Sequence, residues 1–146
     1  MKVRALMTTE PVTVEPAATL GEVAMLMKQE DCGSIPVVEG GRLVGIVTDR
    51  DIVIRGVAAG TDPKTQRVST VMSADPVTVS PDDDVSEAEQ IMADRQIRRL
   101  PVVEKGSLVG IIVTAQIARA DDKRKVGETI KEISEPTSGR GSHARG

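Results

Sequence analysis

The sequence predicts an α/β (α+β) fold in which two β-α-β-β-α repeats pack about a pseudo-two-fold axis, and three observations carry that prediction. Residues 3–55 and 68–120 align without a gap, each residue meeting its counterpart 65 positions on, as Met7 meets Met72 and Pro11 meets Pro76. Identities recur in that one register along the whole span, including Pro16/Pro81, Glu22/Glu87, Met27/Met92 and Ile52/Ile117, which marks an internal duplication. Within each copy, short β-branched runs alternate with capped segments of helical spacing. Finally, neither copy is long enough to build a core that is stable alone, so the two should pack together about a pseudo-two-fold axis. Val, Ile, Leu, Met and Ala then fill a core that has no Phe, Tyr or Trp.

The elements follow in order. Val12 to Val14 and Val77 to Val79 are short extended segments, kept out of a helix by flanking prolines. Thr19-Leu20-Gly21-Glu22 is a capping box, and Asp84-Val85-Ser86-Glu87 is its counterpart with Asp as cap. The helices behind them carry apolar residues at Leu20, Val23 and Met27, and at Val85, Ala88 and Met92. A hairpin comes next: Ile35 to Val38 turns through Gly40-Gly41 into Leu43 to Val47, and Leu100 to Val103 turns through Lys105-Gly106 into Leu108 to Val113. A second helix starts after Thr48 and near Thr114. Repeat 1 thus spans 1–58, a linker 59–67 and repeat 2 68–120. Residues 121–135 form a charged segment with a short helix (Val126, Ile130, Ile133), and 136–146 a disordered tail.

Composition excludes several functions. With 39% apolar and 28% charged residues the chain is an ordinary globular protein. A net charge of −3 argues against nucleic acid and anionic membranes as partners, and the lack of aromatics removes any stacking platform for bases. No apolar run spans a bilayer and no signal peptide opens the chain, so the cytoplasm is the expected location. One cysteine, Cys32, makes no internal disulfide; aligned with Ile97, it reads as a small core position rather than a redox sensor. The one histidine, His143, falls in the tail, so a Cys/His metal cluster is impossible and a general acid–base His is missing. Asp82-Asp83-Asp84 precedes a helix and reads as capping rather than metal binding. The protein is expected not to be an enzyme.

The informative stretch is Gly45-Ile46-Val47-Thr48-Asp49-Arg50-Asp51, a buried strand feeding a helix N-terminus. Thr48 and Asp51 suit a cap; the free N–H groups and positive dipole end also suit a phosphate or hydroxyl-rich ligand. At the same positions copy two carries Val113 and Gln116.

A duplicated β-α-β-β-α unit in which G-h-h-T-x-x-D closes a copy (Gly45 to Asp51) and Pro36 or Pro101 opens the hairpin resembles a tandem cystathionine β-synthase (CBS) domain pair, or Bateman module. The stretch Thr48 to Gly56, followed by Ala58-Ala59-Gly60, is similar to stand-alone two-CBS proteins of the hypoxic-response type. The resemblance implies a regulatory module, a homodimer, whose cleft between repeats binds an adenosine-containing nucleotide (AMP, ADP or ATP, with NAD and S-adenosylmethionine as further candidates). It requires no cofactor. Asp51 would accept the ribose hydroxyls, Thr48 would add a polar contact, and Arg98 and Arg99, crossing from the other repeat, would hold phosphate. Adenine would lie against Met72, Val77 and Ile46. The symmetry mate, with Val113, Gln116, Gly33 and Ser34, would have neither ribose acceptor nor basic clamp, so one competent site is expected. On this reading the chain is an energy or metabolite sensor in a stress response, with an effector protein that the sequence does not identify. The alternative is a dimerisation scaffold with a vestigial cleft.

Overall fold

Both copies build the same helix-backed hairpin, and the caps decide where each helix begins. In the computed structural model, which describes residues 1–131, α2 (Leu20–Glu30) opens on a complete capping box. Glu22 N donates to Thr19 Oγ1 at 3.2 Å and Thr19 N to Glu22 Oε1 at 2.8 Å. Its counterpart α4 (Val85–Arg95) opens on Asp84, whose carboxylate accepts from Ser86 N at 3.0 Å. Both helices end on a left-handed residue, Asp31 (φ 52°) and Gln96 (φ 54°).

The hairpins are β2 (Ser34–Glu39) with β3 (Arg42–Thr48), and β5 (Arg99–Glu104) with β6 (Ser107–Val113). Their registers correspond: Ile35 faces Val47 as Leu100 faces Ile112, and both ladders shift just after Val37 or Val102. The hairpin tips meet at Arg42–Ser107, which joins both copies into one sheet of antiparallel strands. Helix α3 (Asp49–Asp51) continues as a π-helical segment, Ile52–Val57, whereas α5 (Thr114–Lys131) is a regular helix.

The cores correspond residue for residue. One comprises Leu20, Val23, Met27, Ile35, Val37, Val47 and Ile52, and the other Val85, Ala88, Met92, Leu100, Val102, Ile112 and Ile117. Each is completed by a segment preceding the opposite copy. Val3, in α1 (Val3–Leu6), is fully buried in the copy-two core, and its counterpart Val68 is fully buried in the copy-one core. Main-chain bonds fix the exchange: Val3 N donates to Asp83 O, Val85 N to Met1 O, Leu20 N to Gln66 O and Val68 N to Ala18 O.

Two sequence expectations are corrected. Val12–Val14 and Val77–Val79 make one-residue parallel bridges, Val14 to Val37 and Val79 to Val102, because the prolines beside them leave too few N–H donors for a ladder. The short strands are instead β1 (Thr8–Thr9), paired with β6, and β4 (Ser73–Ala74), paired with β3, so each copy's opening strand lies on the other's hairpin. These crossings need glycine. A Cβ on Gly45 would lie 2.6 Å from Met72 Sδ and 2.9 Å from Ser73 O, and one on Gly110 would lie 2.8 Å from Thr8 O. The second correction concerns 121–131, which is no separate helix but the continuation of α5. Its Lys and Arg residues are good helix formers, and Arg124 pairs with Asp121 at 3.0 Å one turn away. Ile133, His143 and the 136–146 tail lie outside the described residues.

Candidate functional site

Two clefts arise where a copy's hairpin end meets the opening strand of the other, and their chemistry differs. In the first, Thr48 ends β3 and Asp51 stands three residues on. Asp51 N donates to Thr48 Oγ1 at 3.0 Å, and Thr48 N donates to Asp51 Oδ2 at 2.9 Å. Capping therefore occupies only one carboxylate oxygen: Asp51 Oδ1 accepts no hydrogen bond among the described residues. Both residues are half-buried, so the carboxylate is held in one orientation yet reachable. Cap and ligand acceptor are compatible roles.

Near Thr48, Ile46 pairs with Ser73, and Met72 lies over Gly45 and packs against the copy-one core. Val77, in the segment after β4, is half-buried and packs against the copy-two core. All three leave some apolar surface accessible.

The second cleft lies at the end of β6. Gln116 Oε1 takes the capping bond from Val113 N at 2.9 Å, and Gln116 Nε2 donates to Thr8 Oγ1 at 2.7 Å. The amide is thus engaged at both ends. A cavity of about 180 Å3 opens here between Thr8, Ser34, Arg99 and Val113. Arg99 does reach across to copy one, but the side chain lines this cavity, the one for which the sequence expects no basic group. The reason is strand alternation: Leu100 and Val102 face the copy-two core, which turns Arg99 to the opposite face beside Ser34. Arg98 is exposed just before β5, and its carbonyl accepts from Thr114 N at 2.9 Å. The lining of this cavity includes Arg99 and not Arg98. Cys32, half-buried, packs against the copy-one core and also lines the second cavity.

The acidic run is engaged with the chain's own start. Asp82 pairs with Arg4 at 2.8 Å, which holds that carboxyl below its usual range. Asp83 Oδ2 accepts from Ser80 N at 2.9 Å. Asp84 is lowered to about 2, chiefly by the Ser86 hydroxyl and N–H, with the N-terminal ammonium 3.3 Å away adding to it. Among the described residues no group of three or more His, Cys, Asp or Glu side chains is placed to hold a metal ion. No helix among them is long and apolar enough to cross a membrane.

The comparison with known proteins agrees with this duplicated architecture. The CBS-domain pattern matches residues 3–56 and 68–123. The chain belongs to the CBS-domain family. This CBS pair is 48% identical over 133 residues to the CBS domain-containing protein YhcV of Bacillus subtilis, covering 90% of the chain and 94% of the relative. It is 36% identical over 119 residues to Hypoxic response protein 1 of Mycobacterium tuberculosis, covering 81% and 83%. A crystal structure of Hypoxic Response Protein I with two coordinated zinc ions superposes with a TM-score of 0.76, at 36% identity over 82% of this chain and 98% of that one. CBSX2 in complex with AMP superposes with a TM-score of 0.75, at 25% identity over 85% and 98%.

Sequence reasoning misses Thr8 as a cleft residue and gives Ser34 no binding role. Both are small, polar and ordinary in pattern; only the strand exchange brings them beside Arg99.

Proposed function

We propose that this CBS pair is a regulatory, non-catalytic module that binds an adenosine-containing nucleotide in the Thr48–Asp51 cleft and acts as a cytoplasmic energy or metabolite sensor. The observation that carries this reading is the half-used Asp51 carboxylate. Oδ2 is fixed by Thr48 N, so Oδ1 is oriented without further entropy cost and is available to a ribose diol. Ile46, Met72 and Val77 are each half-buried and would form an aliphatic seat for the adenine, with Arg98 as the proposed phosphate partner. AMP in the related CBSX2 complex supports the ligand class. Each cleft is built from both repeats, so a ligand that prefers one inter-repeat arrangement shifts the population toward it. An effector protein would read that shift.

Titration calorimetry of the full chain with AMP, ADP, ATP, NAD and S-adenosylmethionine tests the reading. One ligand per chain, lost in Asp51→Asn, is the expected result; no binding of any of the five refutes it.

One observation favours dimerisation as a second reading. Val53, Ile54 and Val57 lie along the π-helical segment with more than half their surface exposed. Their copy-two counterparts are Ala118, Arg119 and Asp122, so the fold does not itself demand apolar residues there. A homodimer joined through copy one would cover them. Sedimentation velocity should show a dimer that Ile54→Asp converts to monomer; a monomeric parent refutes this reading.

A further inference from the structure

The second cleft suits a ligand of another kind. Its volume of about 180 Å3 is well below the roughly 300 Å3 at which pockets begin to take drug-sized molecules. At the position of Asp51 stands Gln116, a neutral amide that accepts from Val113 N and donates to Thr8 Oγ1.

Donors, by contrast, collect. Arg99 presents a half-buried guanidinium. Among the described residues Ser34 Oγ finds no hydrogen-bond partner and is buried, a state that costs free energy until an acceptor arrives. Thr8 Oγ1 accepts from Gln116, which leaves its own O–H to donate. Around them the walls are apolar: Pro11, Ile35, Pro36, Ile111 and Val113. One carboxylate, the exposed Glu30, also borders the cavity and disfavours multiply charged anions, while Cys32 adds only a weak donor.

We infer that this cleft binds a small aliphatic monocarboxylate, with its carboxylate on Arg99 and Ser34 and its alkyl part against Pro36, Ile111 and Val113. A planar guanidinium matches a carboxylate with two parallel bonds, and one negative charge satisfies Arg99 without opposing Glu30. The inference is independent of the nucleotide reading, since the two use different clefts and different residues.

Titration calorimetry on the full chain with butyrate, and with butyramide as its neutral isostere, provides the test. We expect one butyrate per chain and no butyramide. Arg99→Gln should weaken butyrate by about tenfold or more, the effect of losing a charge-assisted pair. Ser34→Ala should also weaken it while raising the melting temperature of the unliganded chain, a readout that stays available if Arg99→Gln does not fold. Asp51→Asn should leave butyrate binding unchanged and abolish nucleotide binding, which separates failure of one reading from failure of the other. The inference is overturned if butyrate at millimolar concentrations does not bind, if butyramide binds equally, or if Arg99→Gln folds and binds as the parent does. It is overturned equally if AMP binds at two per chain and one equivalent survives Asp51→Asn.

Discussion

Replacing Asp51 with asparagine separates its two roles more cleanly than alanine does. Alanine removes both the ligand acceptor and the bond that Oδ2 accepts from Thr48 N at 2.9 Å. Loss of such a cap costs about 1 kcal/mol, or roughly 4 °C in melting temperature for a chain of this size. In asparagine the amide oxygen keeps the bond from Thr48 N, so stability should stay within about 0.5 kcal/mol of the parent. The second oxygen, however, becomes an NH2 that faces a hydroxyl pair as a neutral donor. A ribose diol then loses two bonds to a charged acceptor, each worth about 1.5–3 kcal/mol, so affinity for AMP should fall about 100-fold or more. Calorimetry gives the affinity. Thermal unfolding followed by far-UV circular dichroism gives the stability, since a chain without Trp or Tyr has no useful intrinsic fluorescence. An Asp51→Asn protein that binds AMP as tightly as the parent would refute the assignment of Oδ1 to the ligand.

Three further outcomes test the fold. Gly45→Ala and Gly110→Ala should each cost about 1–3 kcal/mol in denaturant unfolding, because the added Cβ meets backbone oxygens of the crossing strand that have no room to yield. Val3→Ala and Val68→Ala should each destabilise by about 2 kcal/mol, although both lie outside the helices and hairpins that form most of each core, and Val68→Ala should disturb copy one rather than the repeat it opens. Acid unfolding should register Asp84. Its carboxyl is depressed from 3.8 to about 2, so its contribution is present above pH 4 and fades as pH falls toward 2. Asp84→Asn should flatten the stability profile in that window, and a slope that the substitution leaves unchanged there counts against the assignment.

Much of the fold is legible because the chain is written twice. The 65-residue register predicts that Leu20 and Val85 do the same work, and the cores agree position by position. Caps are legible too, because Thr19/Glu22 and Thr48/Asp51 are local patterns closed by short-range bonds. What periodicity conveys is which face of an element is buried, not against which copy. Hence Val3 and Val68 are recognisable as apolar but not as exchanged, and β1 and β4, two exposed polar or small residues each, have no pattern to detect. Arg99 illustrates the same limit at the site. Its position before Leu100-Pro101 is plain, while the cleft its side chain enters depends on strand alternation within a sheet whose joining at Arg42–Ser107 is non-local. The α5 boundary is blurred for the opposite reason, since a charged run reads alike as a solvated loop or as the polar stretch of a long helix.

The exchange of opening segments also sets an order of assembly. During synthesis the N-terminal segment emerges with no site to occupy, because the surface that buries Val3 is made by residues 79–117. Copy one, for its part, lacks Val68 and Val71 until the start of its successor has been made. Each half's core therefore needs residues from the other, and denaturant unfolding should be a single cooperative transition rather than one for each repeat.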